Sequence, residues 1–335
     1  MPKILDWEGQ IGHRLRLRDL HVFSKVVQFG SMAKAAVQLR VTQPAISQVI
    51  ADLEHVLGVS LLDRSPQGVK PTIYGDALMR GGAAAFDDLR QSLREIEFLA
   101  NPTSGEVRIG CPETVAALMT PIVQHLSRQY PGIVLHVVDV AAPTLDLPQL
   151  RDRTLDLAMI RVAGPPSGHR YGDDLDVEVL LNDETRIVVG KDSQWARRRK
   201  VELADLADES WILPPANSLN SAVVMDAFRA LGLGAPKVTM VTYSMQLRAK
   251  LVVSGPHVTV FPRSVLGLYA DDASLKELPI DLPPREWPIA LVTLKSRMTN
   301  PVVQLFISQV RETFKTMEVG RRTAQRPKSK RLQAD

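Results

Sequence analysis

The stretch from Gly30 to Gly58, GSMAKAAVQLRVTQPAISQVIADLEHVLG, decides how the rest of the chain reads. Its period gives two helices separated by a very short turn. The first begins after Ser31, whose hydroxyl can cap free amides, and turns Ala35, Ala36 and Leu39 inward. Arg40 and Val41 break the pattern. Thr42 then offers a second N-cap, with Pro44 inside the following first turn, where its missing N–H costs nothing. On the second helix Ile46, Val49, Ile50, Leu53 and Leu57 share one side, and Gly58 ends it.

The opposite side of that second helix carries Gln43, Pro44, Ser47, Gln48 and Ala51, with no carboxylate before Asp52. Small and amide-bearing residues suit a face that enters a DNA major groove, where bulk and negative charge are unwelcome. Periodicity alone fits an ordinary antiparallel helix pair with a solvated face equally well.

Flanking segments separate the two readings. Leu17 to Phe29 predicts a preceding helix with Leu20, Phe23, Val26 and Val27 inward. After Gly58, two short apolar pieces surround the turn Ser65-Pro66-Gln67-Gly68, the pattern of a small hairpin, or wing. LRDLHVF, GSMAKAA, VTQPAISQVIADLE and LGVSLLDR, followed by Thr72 and Gly75, resemble in order and spacing the DNA-binding domain of LysR-type transcriptional regulators. The resemblance covers about residues 17 to 80 without a gap. It implies a winged helix-turn-helix over 14–74, with Gln43, Pro44, Ser47 and Gln48 at base edges and Arg64 and Lys70 on phosphates or the minor groove. Ser31, Arg40 and Thr42 complete the expected DNA-binding set. Family members often carry arginine and then glutamine after the serine, where this chain has Gln48 and Val49.

The net charge of +4 over 335 residues is modest, but its distribution is uneven. Between Arg14 and Lys70 eight Lys and Arg residues face four carboxylates, enough excess to neutralise several phosphates. A second basic cluster, Arg321, Arg322, Arg326, Lys328, Lys330 and Arg331, lacks apolar partners and contains Pro327; residues 318–335 read as a disordered, solvated tail. Residues 1–13 show no usable pattern and read as a loose extension.

After Thr72 a long helix is expected over 75–100. Leu78, Ala85, Phe86, Leu89, Leu93, Ile96 and Leu99 recur at threes and fours, a stripe that most simply buries itself against another copy. In the family resembled, this linker helix pairs two subunits, which implies a homodimer or homotetramer. Gly81-Gly82 inside it reads as a kink or a close helix approach.

Asn101-Pro102-Thr103-Ser104-Gly105 marks a domain boundary, beyond which strands and helices alternate. Strands over 106–110, 133–140 and 155–160, a helix over 115–130 and a short one over 147–153 predict a parallel α/β sheet. Further strands and helices over 186–261 predict a second such unit. This half resembles the family's two-lobed, periplasmic-binding-protein-like effector domain (105–317), with lobe I over 105–161 and 263–317 and lobe II over 162–262. Ser254-Gly255-Pro256-His257 departs from the family's usual glycine-x-glycine.

In open parallel sheets ligands sit at strand carboxyl ends, often on helix N-termini that favour anionic or oxygen-rich groups. That rule marks Thr114, Asn217, Ser218 and Ser244 as effector contacts, each also a plain helix cap, and Arg161 as a carboxylate partner or a structural ion pair. The WILPP run (211–215) and Arg161 are similar to the branch that regulates sugar-binding-protein and aromatic-acid genes, which implies a sugar or an organic or aromatic acid as effector. Cys111 reads as a small buried residue, and a lone cysteine forms no disulfide framework or cysteine metal cluster.

An enzyme and a solute-binding protein are the competing classes. The chain contains no GxSxG elbow, phosphate-cradling loop, dinucleotide fingerprint or HExxH, and its seven histidines, among them His21, His55, His125, His136, His169 and His257, show no ligand spacing. No catalytic residue, metal or cofactor is therefore expected. The start MPKILDWEGQ has no secretory apolar region, so the expected compartment is the cytoplasm, with promoter DNA and RNA polymerase as the partners the resemblance implies.

Overall fold

The computed structural model describes residues 14–140, 146–162, 173–266, 274–283 and 288–324. The chain divides between Ser92 and Leu93 into two compact units. The proposed N-terminal extension, His169 and the tail beyond Ala324 lie outside the described residues.

The first unit opens with α1 (Leu17–Phe29), α2 (Met32–Leu39) and α3 (Gln43–Leu57). Ser31 caps α2 by accepting the Lys34 N–H, and Thr42 caps α3 by accepting the Ala45 N–H, each at 3.4 Å. Arg40 makes the turn between them in the left-handed region (φ 56°), and its N–H closes the end of α2 on Ala36 and Val37. Phe23, Val26, Ala35, Ile46, Ile50 and Leu53 pack into one core. Burying each large aliphatic there contributes about 1.5–3 kcal/mol.

The wing is the antiparallel pair β1 (Leu62–Ser65) and β2 (Gly68–Pro71), with Asp63 opposite Lys70 and Arg64 opposite Val69. It is held against the α1–α2 turn, where the Val69 N–H reaches the Gly30 carbonyl at 2.9 Å. Gly68 (φ 128°) allows this approach, since a Cβ there would lie 2.7 Å from the Gly30 oxygen.

The long helix α4 (Ile73–Ala100) starts two residues earlier than the spacing predicts and runs unbroken through Gly81 and Gly82. Among the described residues nothing beyond the helix's own backbone lies within 4 Å of a Cβ at either glycine, so neither serves a close approach there. Leu89, Leu93, Ile96 and Leu99 are 44%, 60%, 62% and 72% exposed.

The second unit contains two five-stranded sheets. The first has the order β4-β3-β5-β12-β6, from β3 (Ser104–Gly110), β4 (Gly132–Val138), β5 (Leu157–Arg161), β6 (Leu175–Leu181) and β12 (Ile289–Leu294). The second has the order β11-β7-β10-β8-β9, from β7 (Thr185–Gly190), β8 (Ser210–Leu213), β9 (Val238–Val241), β10 (His257–Pro262) and β11 (Leu275–Glu277).

Both sheets are mixed, which corrects the all-parallel expectation: β12 runs antiparallel to β5 and β6, and β7 antiparallel to β10 and β11. The lobe limits shift for the same reason. β6 falls in the expected lobe II (162–262) yet pairs with β12 of the first sheet, and β11 falls in the expected lobe I yet pairs with β7 of the second. The helix expected over 115–130 is also divided, into α5 (Glu113–Ala116), a 3-10 turn (Ala117–Met119) and α6 (Thr120–Gln129), because Pro121 cannot donate within a continuous helix and opens a new one.

Between the strands run α7 (Pro148–Arg151), α8 (Leu219–Ala230), α9 (Met245–Ser254) and α10 (Arg263–Leu266), and α11 (Pro301–Ala324) ends the described chain. α11 carries helix through 318–324, a stretch expected to belong to a disordered tail. In the first lobe the buried Asp156 carboxylate takes the Arg108 N–H at 2.8 Å and pairs with Arg297 at 2.9 Å. In the second, Trp211 is fully buried, donates to the Leu206 carbonyl at 2.9 Å and meets Phe228 edge-on. The tryptophan of the WILPP run is thus a core residue.

Candidate nucleic-acid interface and effector cleft

On α3 the inward residues Ile46, Ile50 and Leu53 leave Gln43, Pro44, Ala45, Gln48 and Ala51 exposed together. The helix tip is not packed into the interior. Ser47 is half-buried, and its hydroxyl points back to the Met32 sulfur at 3.4 Å. Gln48 donates to Asp52 at 2.8 Å, an i,i+4 bond that brings one carboxylate to the edge of a face otherwise free of them. Arg40, Arg64 and Lys70 are exposed, Arg64 with Glu54 at 3.7 Å. Ser31 and Thr42 act as caps.

The expected effector residues stand at strand carboxyl ends, and their bonding shows what each has left to offer. Ser218 caps α8 by accepting the Ser221 N–H, and Ser244 caps α9 by accepting the Leu247 N–H, both at 3.2 Å. Asn217 Oδ1 accepts the Tyr243 hydroxyl at 3.1 Å, which joins the starts of α8 and α9. Thr114 is half-buried in the first turn of α5.

Arg161, at the end of β5, is 10% exposed and pairs at 2.7 Å with Asp183, whose side chain is fully buried. Its Nη2 also donates to Ser264 Oγ at 3.2 Å, and the Ser264 hydroxyl donates to Asp183. Asp183 further takes the Glu184 and Ser264 N–H groups, each at 3.0 Å. Asp183 stands where the chain passes from β6 of the first sheet to β7 of the second, and Ser264 follows β10 of the second. Arg161 Nε is buried without a partner.

Cys111, at the end of β3, is buried, and burial together with Asp139 pushes its thiol from 9.0 up to about 12, Arg161 acting the other way. Glu113, in the same loop, reaches the Met245 N–H at 3.2 Å. Glu113, Asp183, Ser264 and Arg248 escaped the sequence reading. Glu113 is the neighbour of the marked Thr114 and could have been found there, whereas the other three gave no periodic signal.

A helix-turn-helix domain with an exposed, amide-rich helix tip, fused to a two-lobed α/β domain, matches two family models in succession. Residues 17–76 match the bacterial regulatory helix-turn-helix protein, lysR family, and residues 100–315 match the LysR substrate binding domain. The chain belongs to the LysR family. It is a DNA-binding transcriptional regulator with an effector-binding domain, and the enzyme and free solute-binding readings give way to that assignment.

Among its relatives, the HTH-type transcriptional regulator GbpR of Azospirillum brasilense is 28% identical over 307 residues, covering 90% of this chain and 88% of its own. PcaQ of Agrobacterium fabrum is 25% identical over 312 residues, 93% of this chain and 99% of its own. The fold is similar to a full-length OxyR variant from Pseudomonas aeruginosa, with TM-score 0.59, 20% identity and coverage of 90% and 95%. It is also similar to full-length CbnR complexed with its target DNA, with TM-score 0.55, 21% identity and coverage of 89% and 100%. Like its family, this LysR member is a regulator, and no described helix is long and apolar enough to cross a membrane.

Proposed function

We propose that this LysR regulator answers a small carboxylate-bearing effector held between its lobes and reads promoter DNA with the exposed tip of α3. Gln43, Pro44, Ser47 and Gln48 meet base edges. Arg40, Arg64 and Lys70 hold phosphates, and the Ser31 and Thr42 caps keep the two helix starts in register for them. Carboxylates suit the cleft because the side-chain oxygens at these helix starts are already engaged as acceptors while their donor hydrogens are not. Asn217 Oδ1 and the hydroxyl oxygens of Ser218 and Ser244 each accept a bond from the chain. Among the described residues the amide hydrogens of Asn217, the hydroxyl hydrogens of Ser218 and Ser244, and Arg161 Nε–H meet no acceptor and are left to donate. That excess of donors is the observation that carries the reading. It favours an organic or aromatic acid over a sugar, whose hydroxyls must also find acceptors. Thr114 adds a further hydroxyl.

Two or four copies assemble through the exposed stripe of α4, work in the cytoplasm and engage RNA polymerase at the promoter. Effector binding changes how the DNA-binding units are presented.

The test uses the full-length protein on a target promoter fragment at fixed salt. Gln43→Ala and Ser47→Arg should lower specific affinity about 5- to 100-fold while dimerisation persists; unchanged binding in both counts against the α3 reading. Thr114→Val and Ser244→Ala should blunt the response to a carboxylate effector and leave DNA affinity intact. A panel of acids beside their neutral amides decides the effector class, and an equal response to both would overturn it.

A further inference from the structure

A carboxylate of the chain itself bridges the two lobes. Glu113 opens α5 on the first lobe, and its Oε2 accepts the N–H of Met245, 132 residues further on and on the second lobe, at 3.2 Å. Met245 is the first residue of α9, so this N–H is among those an α-helix leaves without an internal carbonyl. The positive end of the helix dipole adds to its pull on an anion. A second, independent feature lies behind it. Arg248, on the same helix, is 1% exposed, lies over the Phe261 ring and gives Nη1 to the Val260 carbonyl at 2.6 Å, yet its Nε has no partner.

Among the described residues no carboxylate forms an ion pair with Arg248. Burial lowers its guanidinium to about 10, and the charge of Glu113 is what opposes that fall. A buried cation without a contacting counter-ion is costly, and the start of α9 is the place where a negative charge would relieve it.

We propose that Glu113 stands in for the effector's anionic group, occupying a carboxylate subsite at the start of α9 until a ligand carboxylate displaces it. This rests on the oxyanion reading of the cleft and deepens it. An incoming acid must out-compete a tethered carboxylate at the Met245 N–H. Acids that also engage the donors at Asn217, Ser218 and Arg161 do so at low concentration, whereas simple acids need more. Glu113 is thereby a selectivity residue. If the stand-in is seated roughly nine-tenths of the time, it weakens a simple anion's apparent affinity about tenfold.

The experiment uses full-length protein labelled with [15N]methionine and titrated with acetate against chloride at constant ionic strength. Glu113→Ala removes the acceptor; Glu113→Gln keeps an acceptor oxygen without the charge. The expected result is that Glu113→Ala moves the Met245 amide resonance before any ligand is added. Acetate should then saturate that resonance at about tenfold lower concentration than in the unmodified protein, with Glu113→Gln between the two. Acetate shifting Met245 with the same midpoint in all three proteins would overturn the stand-in while leaving the oxyanion cleft intact. Acetate moving Met245 in none of them would overturn both.

Discussion

Glu54 on α3 holds Leu61 at the start of the wing: its Oε1 accepts the Leu61 N–H at 2.8 Å and the Leu62 N–H at 3.2 Å. The helix offered to DNA and the hairpin beside it are therefore one rigid piece. Two part-buried amides depend on this carboxylate. Glu54→Ala should destabilise the first unit by about 1–3 kcal/mol. Glu54→Gln, which keeps an acceptor oxygen, should recover part of the loss. Chemical denaturation followed by circular dichroism measures both.

Gly75 is fixed by the same corner. Thr72 Oγ1 donates to the Ser60 carbonyl at 2.7 Å and accepts the Gly75 N–H at 3.1 Å. That draws the first turn of α4 onto Leu61, and a Cβ at Gly75 would lie 2.2 Å from the Leu61 carbonyl oxygen. Backbone cannot yield as a flexible side chain can, so Gly75→Ala should cost about 1–3 kcal/mol and lower the thermal midpoint, against the usual benefit of alanine in a helix.

What could be read from the letters follows the range of the forces involved. The Ser31 and Thr42 caps, Pro44 in the first turn and the wing at Ser65–Gly68 are local, set within four residues, and they were legible. The apolar side of α3 was legible because burial imposes its own period. β12 was not, because its antiparallel place between β5 and β6 rests on partners more than a hundred residues away. The Arg161–Asp183–Ser264 cluster joins three separate segments, so Arg161 could be marked as charged and well placed but its partner could not be named. Glu113 lies beside the marked Thr114, but its bond to Met245 spans 132 residues and has no local signature.

Gly81 and Gly82 present a contrast with Gly75. Among the described residues neither has an atom outside the helix's own backbone within 4 Å of a would-be Cβ, and both adopt helical backbone. Each should therefore gain roughly 1 kcal/mol on replacement by alanine. Denaturation midpoints of Gly81→Ala and Gly82→Ala, read with sedimentation of the same samples, check this. A loss of stability accompanied by dissociation would place the glycines against a second copy of α4.

Cys111 makes a prediction about alkaline pH. Its thiol ionises at about 12 in the folded protein, against 9.0 ordinarily. Between those values the unfolded chain has released a proton that the folded chain still holds, so raising the pH favours unfolding. Stability supplied by the buried neutral thiol is complete below 9.0 and declines by roughly 1.4 kcal/mol per pH unit until about 12. Cys111→Ala should remove that slope, and thermal midpoints of the two proteins should converge as the pH rises past 9.0. The same burial keeps the thiolate scarce at neutral pH, so the folded protein should leave an aromatic disulfide reagent unreacted until denaturant is added. Rapid labelling of the native protein, or parallel pH profiles for the two proteins, would show that the Cys111 side chain is reached by solvent and is not held neutral by burial.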